Sequence, residues 1–367
     1  FPKSELYLYR ELTIKYDTSY KINLIGKDGL SNENKASFFI TALEDQAPYI
    51  KIFSPVKKYL KMVKNGHLEI KTKVTDDFGI TKISLLYKVN DSKWVSIPFN
   101  ETHNNKKYQA KDIESKYFFD LSKIVQVKTL KKKSLQNGDI VSIKIEAKDN
   151  DDFSGINTKE SYVLKINILD KTQLSNLLNN DLKEIKRELK RIHEQQVQIK
   201  DVLKDFIHVK SSFESGDISK LLQLRYSQLS ISRDTSKQGE EVQQVIKTID
   251  NNNLWDFFPQ ENLNKINSTL ELISYKSKKQ TYQGVSTQIE KRLIEAYHTI
   301  RKSESQGISK IKKAIEKQEF LLSLLDKVIT LLHEWEDFTE VIKGIDNILE
   351  VQKKMEPQLK KILDKNK

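Results

Sequence analysis

The chain has 367 residues, with 63 lysine and arginine residues against 51 aspartate and glutamate residues, a formal net charge of +12 and no cysteine. This length exceeds that of one ordinary domain and predicts two or three. The absence of cysteine excludes disulfide scaffolds, thiolate zinc sites, cysteine nucleophiles and iron–sulfur clusters. No run of residues approaches the roughly 18 consecutive apolar residues that predict a membrane span.

Up to about residue 171, short apolar runs are separated by Gly, Pro, Asn and Asp, which is typical of strands and turns. The predicted strands cover 20–25, 36–42, 49–53, 68–74, 81–89, 93–99, 139–147 and 161–168. Their spacing predicts antiparallel immunoglobulin-like β-sandwiches. Residues 47–171 have room for a complete sandwich, and residues 1–46 for only a partial or terminal immunoglobulin-like β domain. Since the partial domain begins at Phe1 and not at Met, we expect a processed fragment of a longer precursor.

From residue 172 to 367 the apolar residues recur every three or four positions, which predicts long helices packed as a bundle or coiled coil. Two seams have polar residues at core positions, which need a polar partner or loosen the packing. The first seam contains Leu182, Ile185, Leu189, Ile192, Gln196, Ile199, Leu203 and Phe206, and the second contains Leu221, Leu224, Gln228, Ile231, Thr235, Gln238, Val242, Val245 and Ile249. Further helices are predicted from Leu263 to Ile273, 286–303 and 309–335. A last helix, or a continuation, carries Phe338, Ile342, Ile345, Ile348 and Leu349 until Pro357 interrupts it.

Two predicted loops are rich in carboxylates. Asp76 and Asp77 precede Phe78-Gly79-Ile80, and Asp149-Asn150-Asp151-Asp152 precedes Phe153-Ser154-Gly155. Clustered carboxylates can bind Ca²⁺, which takes six to eight oxygen ligands. Aspartate and asparagine also cap turns without any ion, and EF-hand spacing is absent. Whether calcium binds these loops is left open.

No catalytic motif emerges from the sequence. The six histidines are scattered, and there is no Walker loop, no G-x-G-x-x-G turn and no G-x-S-x-G elbow. We therefore predict no catalytic residue, no cofactor, no cofactor-binding residue and no assigned metal ligand, and we do not expect an enzyme. Trp94, Trp255 and Trp335 are expected to anchor the core or helix junctions.

The surplus of basic residues is spread thinly. Residues 1–171 have 30 basic and 22 acidic side chains, and residues 172–367 have 33 and 29. The densest clusters hold four lysines each: Lys57, Lys58, Lys61 and Lys64, then Lys128, Lys131, Lys132 and Lys133. Lysines at sheet edges discourage aggregation between sheets. Because this role explains the clusters without any ligand, nucleic acid is an unfavoured partner. Electrostatic binding of nucleic acid or an anionic surface polymer by the basic β half is the alternative function.

Several short segments resemble a family of uncharacterised, membrane-anchored envelope proteins of planctomycete-like bacteria. Tyr20-Lys21-Ile22-Asn23-Leu24, Asp45-Gln46-Ala47-Pro48 and Thr75-Asp76-Asp77-Phe78-Gly79-Ile80 are similar to its immunoglobulin-like repeats. Lys313-Ala314-Ile315-Glu316-Lys317-Gln318 is similar to the Gln-rich coiled-coil region that follows them. The resemblance implies no catalytic residue, and it implies an N-terminal membrane anchor in the longer precursor.

The sequence thus predicts an α+β multidomain chain, with an N-terminal antiparallel immunoglobulin-like β-sandwich region followed by an elongated α-helical bundle or coiled coil. We expect a non-enzymatic scaffold or tether that mediates protein–protein assembly, as a structural subunit of a larger complex, filament or tubule. Its partners would be other proteins or further copies of itself, bound through the helical seams, with no small-molecule substrate. The expected location is periplasmic or otherwise extracytoplasmic.

Overall fold

The computed structural model describes residues 14–32, 36–98, 111–128, 131–151, 155–208, 213–274 and 284–365. Within them the chain is an α+β protein whose strands precede its helices. The strands are β1 (Thr18–Lys21), β2 (Ser37–Ile40), β3 (Tyr49–Ser54), β4 (Tyr59–Val63), β5 (His67–Thr75), β6 (Ile80–Val89), β7 (Val95–Pro98), β8 (Asp112–Asp120), β9 (Val125–Lys128), β10 (Lys131–Ser134), β11 (Ile140–Asp149), β12 (Thr158–Glu160) and β13 (Leu164–Leu169). The helices are α1 (Lys171–His208), α2 (Ser215–Asn252), α3 (Gln260–Ser274), α4 (Val285–Ile300) and α5 (Glu304–Lys365). None of these helices combines the length and apolar character needed to cross a membrane.

Strands β3 to β13, which we call the β body, form two main sheets around one apolar core. One sheet has the order β3-β5-β8, and the other has the order β4-β13-β11-β6-β7 with β12 also paired to β11. Alternate residues of β5 are buried, as the period of two requires for a strand with one face on the core. Ile70 and Val74 of β5 share this core with Val141, Ile143 and Ile145 of β11.

The prediction of purely antiparallel sheets is wrong at one pair, because β13 and β4 run parallel. β3 belongs to the three-stranded sheet and β4 to the other, so the chain changes sheets in the segment after Ser54. Pro55 lies in that segment and cannot donate a ladder hydrogen bond. β4 then joins the edge of the larger sheet beside the last strand, β13.

The five helices, which we call the helical body, share a second apolar core. Every residue of the two predicted seams is buried, including the polar ones. The helix predicted from Leu263 to Ile273 is confirmed as α3, and its Leu263, Ile266, Leu270 and Ile273 are fully buried. Leu254 and Phe258, on either side of the short 3₁₀ helix Trp255–Phe257, fill the same core.

Pro357 does not interrupt the last helix, contrary to prediction. α5 runs without a break from Glu304 to Lys365 and contains Pro357. A proline inside a helix removes one backbone hydrogen bond and clashes with the preceding turn. Pro357 is exposed, so the backbone carbonyl left without a donor can be hydrated. The segment after Trp335 is therefore a continuation of the preceding helix.

The β body and the helical body meet where α2 ends. The Val63 backbone N–H donates a 2.8 Å hydrogen bond to Asn252 Oδ1, and the Val63 side chain is buried in the helical core. Lys247 Nζ lies 3.1 Å from Ser54 Oγ. α5 runs antiparallel to α1, since Lys186 pairs with Glu336 and Lys204 with Glu319. Because α1 begins directly after β13, the carboxyl half of α5 runs toward the end of the helical body where α1 leaves the β body.

Candidate functional site

Three aspartates from separate parts of the sequence meet at one end of the β body. Tyr49 at the start of β3 pairs with Thr75 at the end of β5, so Asp45 and Asp76 lie at the same sheet end. Asp149, the last residue of β11, pairs with Ile80, where β6 begins. The loop from β5 to β6 thereby brings all three carboxylates together. We call Asp45, Asp76 and Asp149 the carboxylate cluster.

Two of the three carboxylates organise their own loops with one oxygen each. Asp76 Oδ1 accepts hydrogen bonds from the backbone N–H groups of Phe78 (3.0 Å) and Gly79 (2.7 Å). Asp149 Oδ1 accepts from the backbone N–H groups of Asp151 (3.2 Å) and Asn157 (2.9 Å). These are the turn-capping roles that aspartate fills by itself. They fix both side chains and leave the second oxygen of each for another partner.

The remaining oxygens of the cluster have no donor among the described residues. Oδ2 of Asp76, Oδ2 of Asp149 and both oxygens of Asp45 are enclosed and accept no hydrogen bond. The Asp149 residue is fully buried. One carboxylate oxygen from each aspartate lies within 4.8 Å of one from each of the others. A buried carboxylate without a partner is costly, so this arrangement requires a compensating positive charge or protons.

The electrostatics of Asp45 reflect the same crowding. The pKa of the Asp45 carboxyl is raised to about 6, chiefly by burial and in addition by repulsion from Asp149, Asp77, Asp76 and Asp151. Like charges held close together disfavour ionisation of at least one of them. The cluster therefore favours the binding of a cation or of protons, either of which reduces its negative charge.

A cleft of about 760 Å³ opens onto this region. It lies between the segment around β1 and β2 and the β body, and Asp45 is part of its wall. Among the described residues that line the cleft, Lys15 is the one basic residue, and its side chain already has an interaction partner. Its acidic lining residues are Asp17, Glu44, Asp45 and Asp151.

The two Asp-rich loops of the sequence analysis are thus brought together, though not every residue in them takes part. Asp77 is exposed and lies outside the cluster. Asp152, Phe153 and Ser154 lie outside the described residues. Sequence reasoning does not single out Asp45, which it names only within the segment Asp45-Gln46-Ala47-Pro48 that resembles immunoglobulin-like repeats. The signal that could have found Asp45 is a carboxylate in the linker between β2 and β3, which contains Pro48. No local pattern, however, places that linker beside loops much later in the chain.

A second feature is the part of α5 beyond the helical body, residues 340–365, which we call the α5 overhang. Thr339 is the last buried residue of α5 among the side chains described. Beyond it Val341, Ile345, Ile348 and Met355 are each about half exposed or more, at 61%, 49%, 60% and 50%. With Gln352 they follow steps of 4, 3, 4 and 3, the spacing of a helical seam. Only Ile345 and Ile348 belong to the apolar stripe predicted for this segment. The exposed seam has no partner among the described residues.

Three buried glutamines in the core of the helical body are joined by hydrogen bonds. Gln228 Nε2 donates to Gln196 Oε1 at 2.8 Å and lies 3.3 Å from Ser286 Oγ. Gln318 Nε2 donates to Gln228 Oε1 at 3.3 Å. All three glutamines are fully buried. In the polar middle of the second seam, the expectation of a polar partner is confirmed at Gln228 only. Thr235 donates to the Ile231 carbonyl one turn earlier on the same helix, and Gln238 Oε1 is buried without a partner among the described residues.

The two lysine clusters lie on sheet edges and a hairpin. Lys57, Lys58, Lys61 and Lys64 are exposed on β4 and the residues flanking it, at the edge of the larger sheet. Lys58 Nζ lies 4.7 Å from the centre of the Tyr162 ring. Strands β9 and β10, which carry the second cluster, pair only with each other among the described strands.

Comparison with models of known protein families finds no match, and comparison with curated proteins finds none either. The resemblance to bacterial envelope proteins therefore stays a prediction. What can be said about function depends on the carboxylate cluster and the α5 overhang.

Proposed function

We propose that this chain is a non-enzymatic structural scaffold that assembles with a second copy of itself through the α5 overhang. The observation that carries this proposal is the exposed seam of Val341, Ile345, Ile348 and Met355. A helix with one apolar stripe is stable in water when the stripe is buried against another surface. At about 1.5 Å per residue the overhang is about 39 Å long, which is between three and four heptads.

The charges of the overhang favour a second copy, paired antiparallel, as the occupant of the seam. Its first half is acidic and its second half is basic. The sequence has Glu340, Lys343, Asp346 and Glu350 in the first half, and Lys353, Lys354, Glu356, Lys360, Lys361, Asp364 and Lys365 in the second. In an antiparallel pair each acidic half faces a basic half, whereas a parallel pair would align like charges.

The test compares substitutions at two adjacent residues of the overhang, one in the seam and one outside it. Ile348→Glu places a charge in the seam, and Asn347→Glu places the same charge on the adjacent exposed position, which lies off the seam. Burying an isoleucine contributes about 1.5–3 kcal/mol, and a symmetric dimer contains it twice. We expect Ile348→Glu to weaken dimerisation by about a hundredfold or more and Asn347→Glu to leave it nearly unchanged, measured by analytical ultracentrifugation.

A zero-length carboxylate–amine cross-linker tests the orientation. Antiparallel pairing of the acidic and basic halves predicts links between Glu340 of one copy and Lys361 or Lys365 of the other, and Ile348→Glu should abolish them. A chain that remains monomeric at about 100 μM, far above the dissociation constants of stable assemblies, would contradict self-assembly. Equal effects of the two substitutions would contradict the role of the seam.

The finer features of the fold are part of the same proposal. Two sheets on a shared core, with hairpin and crossover connections, are compatible with an immunoglobulin-like sandwich, and seams spaced by three and four residues are compatible with coiled-coil packing. The resemblance to envelope proteins adds a periplasmic or otherwise extracytoplasmic location. Fractionation of source cells with an antibody to the chain tests that location.

A further inference from the structure

We propose that the carboxylate cluster is a calcium site that fastens the linker before β3 to the end of the β body. This inference is independent of self-assembly through the α5 overhang. It rests on the positions and hydrogen bonding of Asp45, Asp76 and Asp149, all of which precede the helices in the sequence.

The geometry is that of oxygens around one ion. Calcium binds oxygen at about 2.3–2.6 Å, so two ligands on opposite sides of the ion lie about 4.6–5.2 Å apart. The three carboxylate oxygens fall within 4.8 Å of one another. Asn150 follows Asp149 in the sequence, and its side-chain oxygen is also enclosed and accepts no hydrogen bond. This oxygen is therefore a candidate fourth ligand.

The hydrogen bonding separates this cluster from ordinary turn-capping aspartates. A capping carboxylate on a loop leaves its second oxygen in water, where solvent satisfies it. Here Asp149 is fully buried, its Oδ1 is held by two backbone N–H groups, and its Oδ2 is enclosed without a donor. The backbone thus holds the Asp149 carboxylate in place while one of its oxygens stays buried without a donor, as expected for a side chain fixed in advance for a cation.

The donor set selects the kind of ion. Only oxygen ligands come from the cluster, and no His or Cys joins it among the described residues. Oxygen-only sites favour hard cations, and a site assembled from three loops provides the variable geometry that Ca²⁺ accepts and Mg²⁺ does not. Because Asp45 belongs to the linker and the other two to the β body, the ion would join the two parts.

Aspartate-to-asparagine substitutions test the site while preserving the loops. Asn keeps the Oδ1 acceptor that holds the β5–β6 and β11–β12 loops, and it removes the charge that a cation needs. The variants are Asp45→Asn, Asp76→Asn and Asp149→Asn, and the matched control is Asp28→Asn, whose carboxylate caps an exposed turn elsewhere. Each is titrated with calcium chloride alone by isothermal titration calorimetry, and with magnesium chloride in parallel.

We expect one saturable calcium site in the unmodified chain, with a dissociation constant between about 10⁻⁵ and 10⁻³ M. Each cluster variant should bind at least tenfold more weakly, and Asp28→Asn should match the unmodified chain. Calcium should also slow proteolysis of the linker at residues 41–48 in the unmodified chain and not in Asp149→Asn. Absence of saturable binding, preference for magnesium, or equal binding by the cluster variants would overturn the proposal. Any of these results would leave dimerisation through the overhang unaffected.

Discussion

Gln228 connects three helices by hydrogen bonds inside the core of the helical body. It donates to Gln196 of α1 and accepts from Gln318 of α5. If one helix slid by a turn, these amides would face leucine and isoleucine and lose their partners. Buried polar networks of this kind restrict the register of helices even where they add little net stability. The glutamines therefore specify how the long helices align.

Replacing Gln228 alone should cost more stability than replacing the whole network. Gln228→Leu leaves Gln196 Oε1 and Gln318 Nε2 buried without partners, and an unsatisfied buried polar group costs about 1–3 kcal/mol. The triple variant Gln196→Leu/Gln228→Leu/Gln318→Leu removes the unsatisfied groups as well. We expect urea unfolding to give a lower free energy for the single variant than for the triple variant. The reverse order would mean that the amides contribute no partner-dependent stability.

Individual residues of this network were only partly predictable from the sequence. The seam periodicity placed Gln196 and Gln228 in the core, because both stand where an apolar residue is due. Gln318 was noted only within a segment that resembles other proteins. The pairing itself depends on how α1, α2 and α5 are arranged in space, and a one-dimensional period contains no such information.

Among the elements, the connection between α4 and α5 depends on a glycine. A Cβ on Gly307 would lie 2.7 Å from Ile300 Cα and 2.8 Å from Ile300 Cβ. These atoms belong to the end of α4 and cannot move aside without shifting the helix. Gly307 thus permits the close approach with which α5 turns back along α4.

Two glycine substitutions within α5 should have opposite effects. Gly307→Ala should destabilise the chain by about 1–3 kcal/mol, since overpacking forces the backbone to shift. Gly344→Ala adds a methyl group where nothing lies within 4 Å. In a helix interior alanine is favoured over glycine by about 0.5–1 kcal/mol. We expect thermal unfolding followed by circular dichroism to show a lower midpoint for Gly307→Ala, and a higher helical signal of the folded chain for Gly344→Ala. A neutral Gly307→Ala would contradict the packing role.

The helices were more predictable than the strands, for a physical reason. α1 and α2 have 38 residues each. The three-and-four spacing of apolar residues therefore recurs many times in each helix and is recognisable even where single positions are polar. β4 and β8 were not predicted, because strands of 5 and 9 residues offer few repeats and β8 alternates charged residues with its buried ones. The prediction that Pro357 ends the last helix was wrong. It considered the hydrogen bond that proline removes and not the long helical segment on both sides of Pro357.

For the whole molecule, the carboxylate cluster shows where prediction from sequence stops. The loops containing Asp76 and Asp149 were recognised by their composition, and calcium was left open. Their meeting with Asp45 depends on the register of β3 with β5 and of β11 with β6. Those pairings are long-range, and one strand slipped by a single residue would turn its side chains to the other face. The site therefore emerges only from the assembled β body.

The two cores of the molecule are coupled at Gly66 and Asn252. A Cβ on Gly66 would lie 2.7 Å from Asn252 Oδ1 and 3.1 Å from the Asn251 carbonyl oxygen. Gly66→Ala should therefore push the end of α2 away and break the hydrogen bond from Val63 N–H to Asn252. Leaving that buried donor unpaired costs about 1–3 kcal/mol.

In the unmodified chain we expect calorimetry to show one transition in which the β body and the helical body unfold together. In Gly66→Ala we expect two separate transitions. Gly216→Ala is the control, since it lies in α2 with nothing within 4 Å of the added methyl group and should keep the unmodified profile. The same calorimetric profile in both variants would mean that the two bodies are held together elsewhere. A split confined to Gly66→Ala would locate the coupling at the contact where β4 inserts Val63 into the helical core.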